Sequence, residues 1–149
     1  MNKLPGVRER RGLRRSGATD SDEARRLLLL VDDNAAVRVT AGLLLHAEGW
    51  DVLEATSGEE AVSRYRDAPV PIELVLMDMQ MSGMDGLDAF RALKALDHGV
   101  RVIFISGSGK SDRLELGLRE GALAFLPKPF APEDVAIVLN RAVGAGTDS

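Results

Sequence analysis

Three acids, a serine and a lysine occupy equivalent places in this chain: each follows directly on a short apolar run. "LLLLVDDN" closes on Asp32 and Asp33, "LVLMDMQ" carries Asp78, "IFISGS" ends with Ser106 at its edge, and "AFLPKPF" presents Lys128. Carboxylates brought together repel one another, so a cluster of three at neutral pH needs compensating cations. Lys128 supplies one positive charge. A hard divalent ion suits the rest, because Mg2+ takes oxygen ligands, keeps several waters and pairs with substrate phosphates. Acids, a hydroxyl and an ammonium around such an ion are the parts for phosphoryl chemistry. An aspartate can serve as nucleophile and become an acyl phosphate while the cations and hydroxyl stabilise charge on the transferring group.

That chemistry requires the ends of the runs to meet. From Leu27 onward, short apolar runs alternate with amphipathic stretches, the pattern of a βα repeat. Strands are predicted at 27–31, 50–55, 72–77, 100–105 and 122–127. The first and third runs are almost wholly apolar, as in parallel strands covered on both faces, and belong at the centre of the sheet. Helices fill the intervals. Asn34 can cap the first, which stops near Gly49, and Ser57 with Glu60 makes a capping box for the second. Leu87, Phe90, Leu93 and Leu96 mark the third; Ser111 or Asp112 starts the fourth and Gly121 stops it; Pro132 opens the fifth. Right-handed crossovers then predict an α/β three-layer sandwich, a five-stranded parallel sheet with five helices on its two faces. Ligands of such sheets bind outside the carboxyl ends of the strands, the edge that all five groups share.

With 149 residues, 45% apolar and 28% charged, the chain suits one domain with a substantial core. It has no cysteine, which excludes disulfides, thiolate metal sites and a cysteine nucleophile. No run approaches the roughly 20 apolar residues of a membrane span, and no secretory signal is visible, so a soluble, cytoplasmic protein is expected. The net charge of −4 is uneven: residues 1–26 hold eight Arg or Lys against four Asp or Glu, and the remainder 11 against 19. An acidic body argues against nucleic-acid binding through the folded surface. Residues 1–25 lack an apolar period and read as a disordered basic extension, followed by a domain at 26–144 and a short tail at 145–149.

Four motifs in this order, VDDN (31–34), LVLMDMQMSGMDG (74–86), FISGSG (104–109) and FLPKPF (125–130), resemble the receiver domain of two-component response regulators, the CheY-like family. The resemblance covers about Leu27 to Gly144. It implies a flavodoxin-like sheet of strand order 2-1-3-4-5. It also implies a signalling module that catalyses only its own phosphorylation and dephosphorylation, rather than an enzyme. Carried over by position, it makes Asp78 the phosphoacceptor and Asp33 a direct Mg2+ ligand, with Asp32 acting through a metal-bound water. The backbone carbonyl of Gln80 completes the protein ligands, and Mn2+ is an expected substitute. Ser106 would bond a phosphoryl oxygen, and Lys128, aimed by a cis Lys128–Pro129 bond, would pair with the phosphoryl group. Phe125 matches an aromatic switch, and Gln80 and Ser108 match positions that tune dephosphorylation. The implied partners are a histidine kinase or a histidine phosphotransfer protein, and an effector protein. A homodimer through the face of the fourth helix, fifth strand and fifth helix fits the same pattern. Because the chain ends soon after the last helix, a stand-alone receiver whose output is a binding event is expected. Ser82 departs from the family, which usually has proline there; stiffness of the loop is affected more than chemistry.

Plainer readings fit several of these residues singly. Asp32 and Asp33 suit a helix N-terminus, Phe125 a core, the methionines at 77, 79, 81 and 84 packing, and Gly83 and Gly86 loop punctuation. His46 and His98 read as surface residues. Other functions fit less well. An aspartyl-phosphate phosphatase of the haloacid-dehalogenase kind needs a second acid two residues past its nucleophile, where Gln80 stands. A nucleotide binder would want Gly, Ser or Thr amides where VDDN would repel phosphate. A pseudo-receiver, acting as a phosphorylation-independent adaptor, has no need of the intact set.

Overall fold

The computed structural model describes residues 25–107, 109 and 111–148, the side chains of the last four excepted. The expected basic extension, apart from Arg25, and Ser108 lie outside the described residues. In chain order the elements are β1 (Arg26–Val31), α1 (Ala35–Ala47), β2 (Trp50–Ala55), α2 (Gly58–Asp67), β3 (Ile72–Asp78), α3 (Gly86–Leu96), β4 (Val102–Ser106), α4 (Asp112–Arg119), β5 (Ala124–Pro127) and α5 (Pro132–Asp148). All neighbouring strands are parallel, and the sheet order is β2-β1-β3-β4-β5.

Alternation along the strands divides the core in two. Leu29, Val31, Val75, Met77 and Phe104 point to one face, where Ala61 of α2, Leu87, Phe90 and Leu93 of α3, and Leu114 of α4 cover them. Leu28, Leu30, Leu74, Leu76, Ile103 and Ile105 point to the other, against Ala41 and Leu45 of α1 and Val135, Val138 and Leu139 of α5. Each such side chain, removed from water, is worth about 1.5–3 kcal/mol, so a strand apolar on both faces is held from both sides. Phe90 and Phe104 meet edge to face, ring centroids 5.6 Å apart.

The helix starts follow the sequence closely. Asn34 Oδ1 accepts from Val37 N at 3.1 Å, Ser57 Oγ from Glu60 N at 3.0 Å, and Ser111 Oγ from Leu114 N at 3.2 Å. The capping box differs in one arm: Glu60 Oε1 accepts from the backbone N and the hydroxyl of Thr56, one residue before the cap. Strands β4 and β5 begin two residues later than predicted, because Val100 N bonds Asp97 O and Ala122 N bonds Gly117 O in turns. Helix α5 runs to Asp148, through the stretch expected as a tail. A helical glycine costs about 1 kcal/mol relative to alanine, which Gly144 and Gly146 show is not enough to end a helix.

Candidate functional site

The sheet order reverses between β1 and β3, which leave their shared border in opposite directions along the sheet. Register pairs Val31 with Met77, so Asp32 and Asp33 emerge beside Asp78, while Asp78 pairs with Ile105 and Ser106 with Pro127. The carboxyl ends of four strands thus deliver the predicted residues to one place. Asp32, Asp33 and Asp78 each offer an oxygen within 4.8 Å of the others. Asp32, Asp78 and Ser106 are buried, and Asp33 is exposed at the mouth.

Lys128 reaches in from the end of β5, its Nζ 3.1 Å from Asp32 Oδ2 and 3.6 Å from Asp78 Oδ1. Its own amide donates to Ser106 O at 2.8 Å, and the Lys128–Pro129 peptide is cis. Asp32 Oδ1 accepts from Asn34 N at 2.9 Å and Asp78 Oδ1 from Gln80 N at 3.2 Å. Ser106 Oγ donates to Gly109 O at 2.9 Å. Phe125 is half-buried and packs against the core on the α2, α3 and α4 side.

One lysine does not balance these acids. Burial, and after it the charge of Asp32, push the Asp78 carboxyl up to about 6; the Gln80 amide and Lys128 offset this in part. Asp32 Oδ2 is buried and accepts no hydrogen bond, though Lys128 stands beside it. A buried carboxylate oxygen without a hydrogen bond, beside a raised carboxyl in a set of hard oxygen donors, fits a divalent cation such as Mg2+. Among the described residues, Asp32, Asp33 and Asp78 are the carboxylates grouped closely enough to hold one.

Known proteins share this fold. Residues 28–140 match the family described as response regulator receiver domain. This chain belongs to that family. The two-component response regulator ORR41 of Oryza sativa subsp. japonica is 38% identical over 116 residues, 76% of this chain and 91% of the relative. The chemotaxis protein CheY of Thermotoga maritima is 33% identical over 115 residues, 76% of this chain and 94% of the relative. Among solved structures, the CheX–CheY–BeF3–Mg2+ complex of Borrelia burgdorferi aligns with a TM-score of 0.71 and 31% identity, covering 80% of this receiver and 88% of that chain. The receiver is thus a signalling domain of two-component systems. Among its described residues no helix is long and apolar enough to cross a membrane.

Some groups that shape the receiver's site were not singled out from sequence. Arg38 Nη1 donates to Asp32 O at 2.8 Å, and Asp85 caps α3 while taking two bonds from Arg113. Gly86, read as loop punctuation, is the first residue of α3 and lies against the carbonyl of Asp78, where a Cβ would stand 2.6 Å from that oxygen. The methionine reading holds: Met77, Met79 and Met81 are in the core and Met84 packs on it. His46 and His98 are exposed.

Proposed function

We propose that this receiver accepts a phosphoryl group on Asp78 from a phosphohistidine donor and, once modified, binds an effector differently, acting as a stand-alone module of a two-component or phosphorelay system. The observation that carries this reading is the meeting of Asp78 with two further acids, a buried hydroxyl and Lys128 at one sheet edge. Asp33, Asp78 and the Gln80 carbonyl would hold Mg2+, or Mn2+ in its place, with Asp32 acting indirectly. The ion, when bound, offsets charge on the carboxylates and on the transferring group.

An oxygen of Asp78 attacks phosphorus, the P–N bond to the donor imidazole breaks, and its electron pair leaves with that imidazole. Lys128, already 3.6 Å from Asp78 Oδ1, then pairs with the phosphoryl oxygens. The Ser106 proton is committed to Gly109 O, so bonding a phosphoryl oxygen releases that carbonyl and loosens the turn before α4. Phe125, half-buried on the neighbouring strand, is the aromatic that follows the shift. Gln80 and Ser108 govern how water approaches the acyl phosphate.

A histidine kinase or histidine phosphotransfer protein is the donor. Support comes from a groove of about 530 Å³ beside Lys128, lined by Ala36, Val37, Thr40, Pro129 and Phe130, with Val39 and Leu43 exposed on the same helix. The effector, or a second copy, meets the α4–β5–α5 face, where Leu116, Leu123 and Ile137 are exposed. The domain is taken to begin at residue 26, preceded by the basic extension, and to close with α5, and its location is taken as cytoplasmic. The test is intact mass after incubation with acetyl phosphate, with and without Mg2+, on wild type and Asp78→Asn. A single phosphoryl gain that needs both Mg2+ and Asp78 is expected. No gain under any condition would leave a phosphorylation-independent adaptor.

A further inference from the structure

Resting on the proposed metal site, we infer that Arg38 is a positioning residue that sets the angle between Asp32 and Asp33 by gripping the peptide that joins them. Arg38 Nη1 donates to Asp32 O at 2.8 Å, and Nε of the same guanidinium donates to Glu54 Oε1 at 3.0 Å. Its own amide donates to Asn34 O at 3.1 Å, the opening bond of α1. The side chain is 16% exposed, so the grip is largely shielded from water.

The Asp32 carbonyl and the Asp33 amide share one planar unit, so holding the carbonyl restrains ψ of Asp32 and sets the plane from which Asp33 continues. Other bonds hold the residues on either side of Asp33: the Asp32 amide donates to Ala55 O at 3.1 Å, and the Asp32 carboxylate accepts from Asn34 N. Asp33 follows on an exposed turn, and its direction is inherited from the gripped peptide. The fork of a guanidinium can span a strand-end carbonyl and a carboxylate on the next strand at fixed geometry, which an ammonium cannot. Groups of this kind, which orient ligands without touching the ion, commonly change metal affinity by about 10–100-fold when removed.

Charge alone makes the opposite prediction. Arg38 is a cation near an acidic site, so losing it should tighten binding of Mg2+ if it acts through its field. The test is calorimetric titration of the full, unphosphorylated chain with MgCl2, comparing wild type, Arg38→Gln and Arg38→Lys, with Asp33→Asn as the site control. Urea unfolding of each in EDTA confirms that it is folded. Binding about tenfold weaker or more is expected for Arg38→Gln, and clear weakening also for Arg38→Lys, which keeps the charge and loses the fork. Tighter or unchanged binding in Arg38→Gln would overturn the inference. Should that variant fail to fold, unchanged binding in Arg38→Lys would do the same. Wild type that binds no Mg2+, or binds it equally well after Asp33→Asn, would overturn the site itself and this inference with it.

Discussion

Replacing Asp78 with asparagine is expected to stabilise the metal-free fold at neutral pH. The folded carboxyl titrates at about 6 against an ordinary value of 3.8, raised by burial first and by Asp32 second. A carboxyl raised in the folded state holds its proton more tightly there than in the unfolded chain. Its contribution to stability is therefore complete below pH 4 and is lost as pH rises through 6. At about 1.4 kcal/mol per pKa unit the full loss is about 3 kcal/mol, which solvent at the open mouth reduces to about 1–2 kcal/mol. Asparagine keeps an oxygen for the Gln80 amide and carries no charge, so it escapes the loss. Urea unfolding of both proteins in EDTA, at steps from pH 4 to 8, measures the difference. The gap should be small at pH 4, open between 4 and 6, and stay level above. Saturating Mg2+ should narrow it, because a ligand of the folded state stabilises the wild type by mass action. Wild type more stable than Asp78→Asn at pH 7.5 in EDTA, or a gap indifferent to pH, would refute the charge argument.

The lysine gives the complementary case: Lys128→Met should lower stability in EDTA by about 1–3 kcal/mol above pH 6, by the same urea assay, because the cation beside two buried acids is gone. The same change should tighten Mg2+ binding in a calorimetric titration, since a competing positive charge has left the pocket. For Gly86→Ala, a Cβ would lie 2.6 Å from Asp78 O and 2.8 Å from Met79 Cα, backbone atoms that cannot turn aside. That variant should lose about 1–3 kcal/mol in unfolding experiments and take up phosphoryl groups more slowly, because α3 must lift off the strand that carries Asp78. Arg113→Ala removes the fork on Asp85 at 2.5 and 3.0 Å and the bond to Asp88, all at the surface. Its cost should be small and should shrink in about 1 M salt, seen as converging urea midpoints with wild type.

The sheet and the meeting of polar groups at one of its edges were legible because one signal reports both. An apolar run that ends on a polar group marks a strand and the group it presents; this holds for Asp32, Asp78 and Ser106 on largely buried strands, and for Lys128 on a strand of which Leu126 alone is buried. The same signal misplaced the starts of β4 and β5. Val100 and Ala122 are buried, but they are buried in turns beneath the sheet rather than in its ladder. Apolarity reports burial, and the hydrogen-bonding partner of a buried residue is a separate fact. Arg38 with Glu54, and Arg113 with Asp85, were hidden for a different reason. Many opposite charges could pair in a chain of this composition, and only strand register or helix docking selects which do. Gly86 was hidden because lack of space leaves no mark in one sequence beyond the glycine itself.

Three places where the chain breaks local rules lie at that edge; a fourth, the buried and unpartnered Arg101 Nε, lies at the other end of β4. A buried carboxylate oxygen goes without a hydrogen bond, a second carboxyl is held well above its ordinary range, and a helix begins on a glycine pressed against a strand end. Each departs from what stability alone would select, and each involves Asp32 or Asp78, while both core faces obey their patterning. Such local conflicts are expected where a site must respond to a ligand. A fold relaxed at Asp32 and Asp78 would gain little from a cation. Under the proposed function, the unbalanced charge at these two residues is what would couple the conformation of this edge to what binds there.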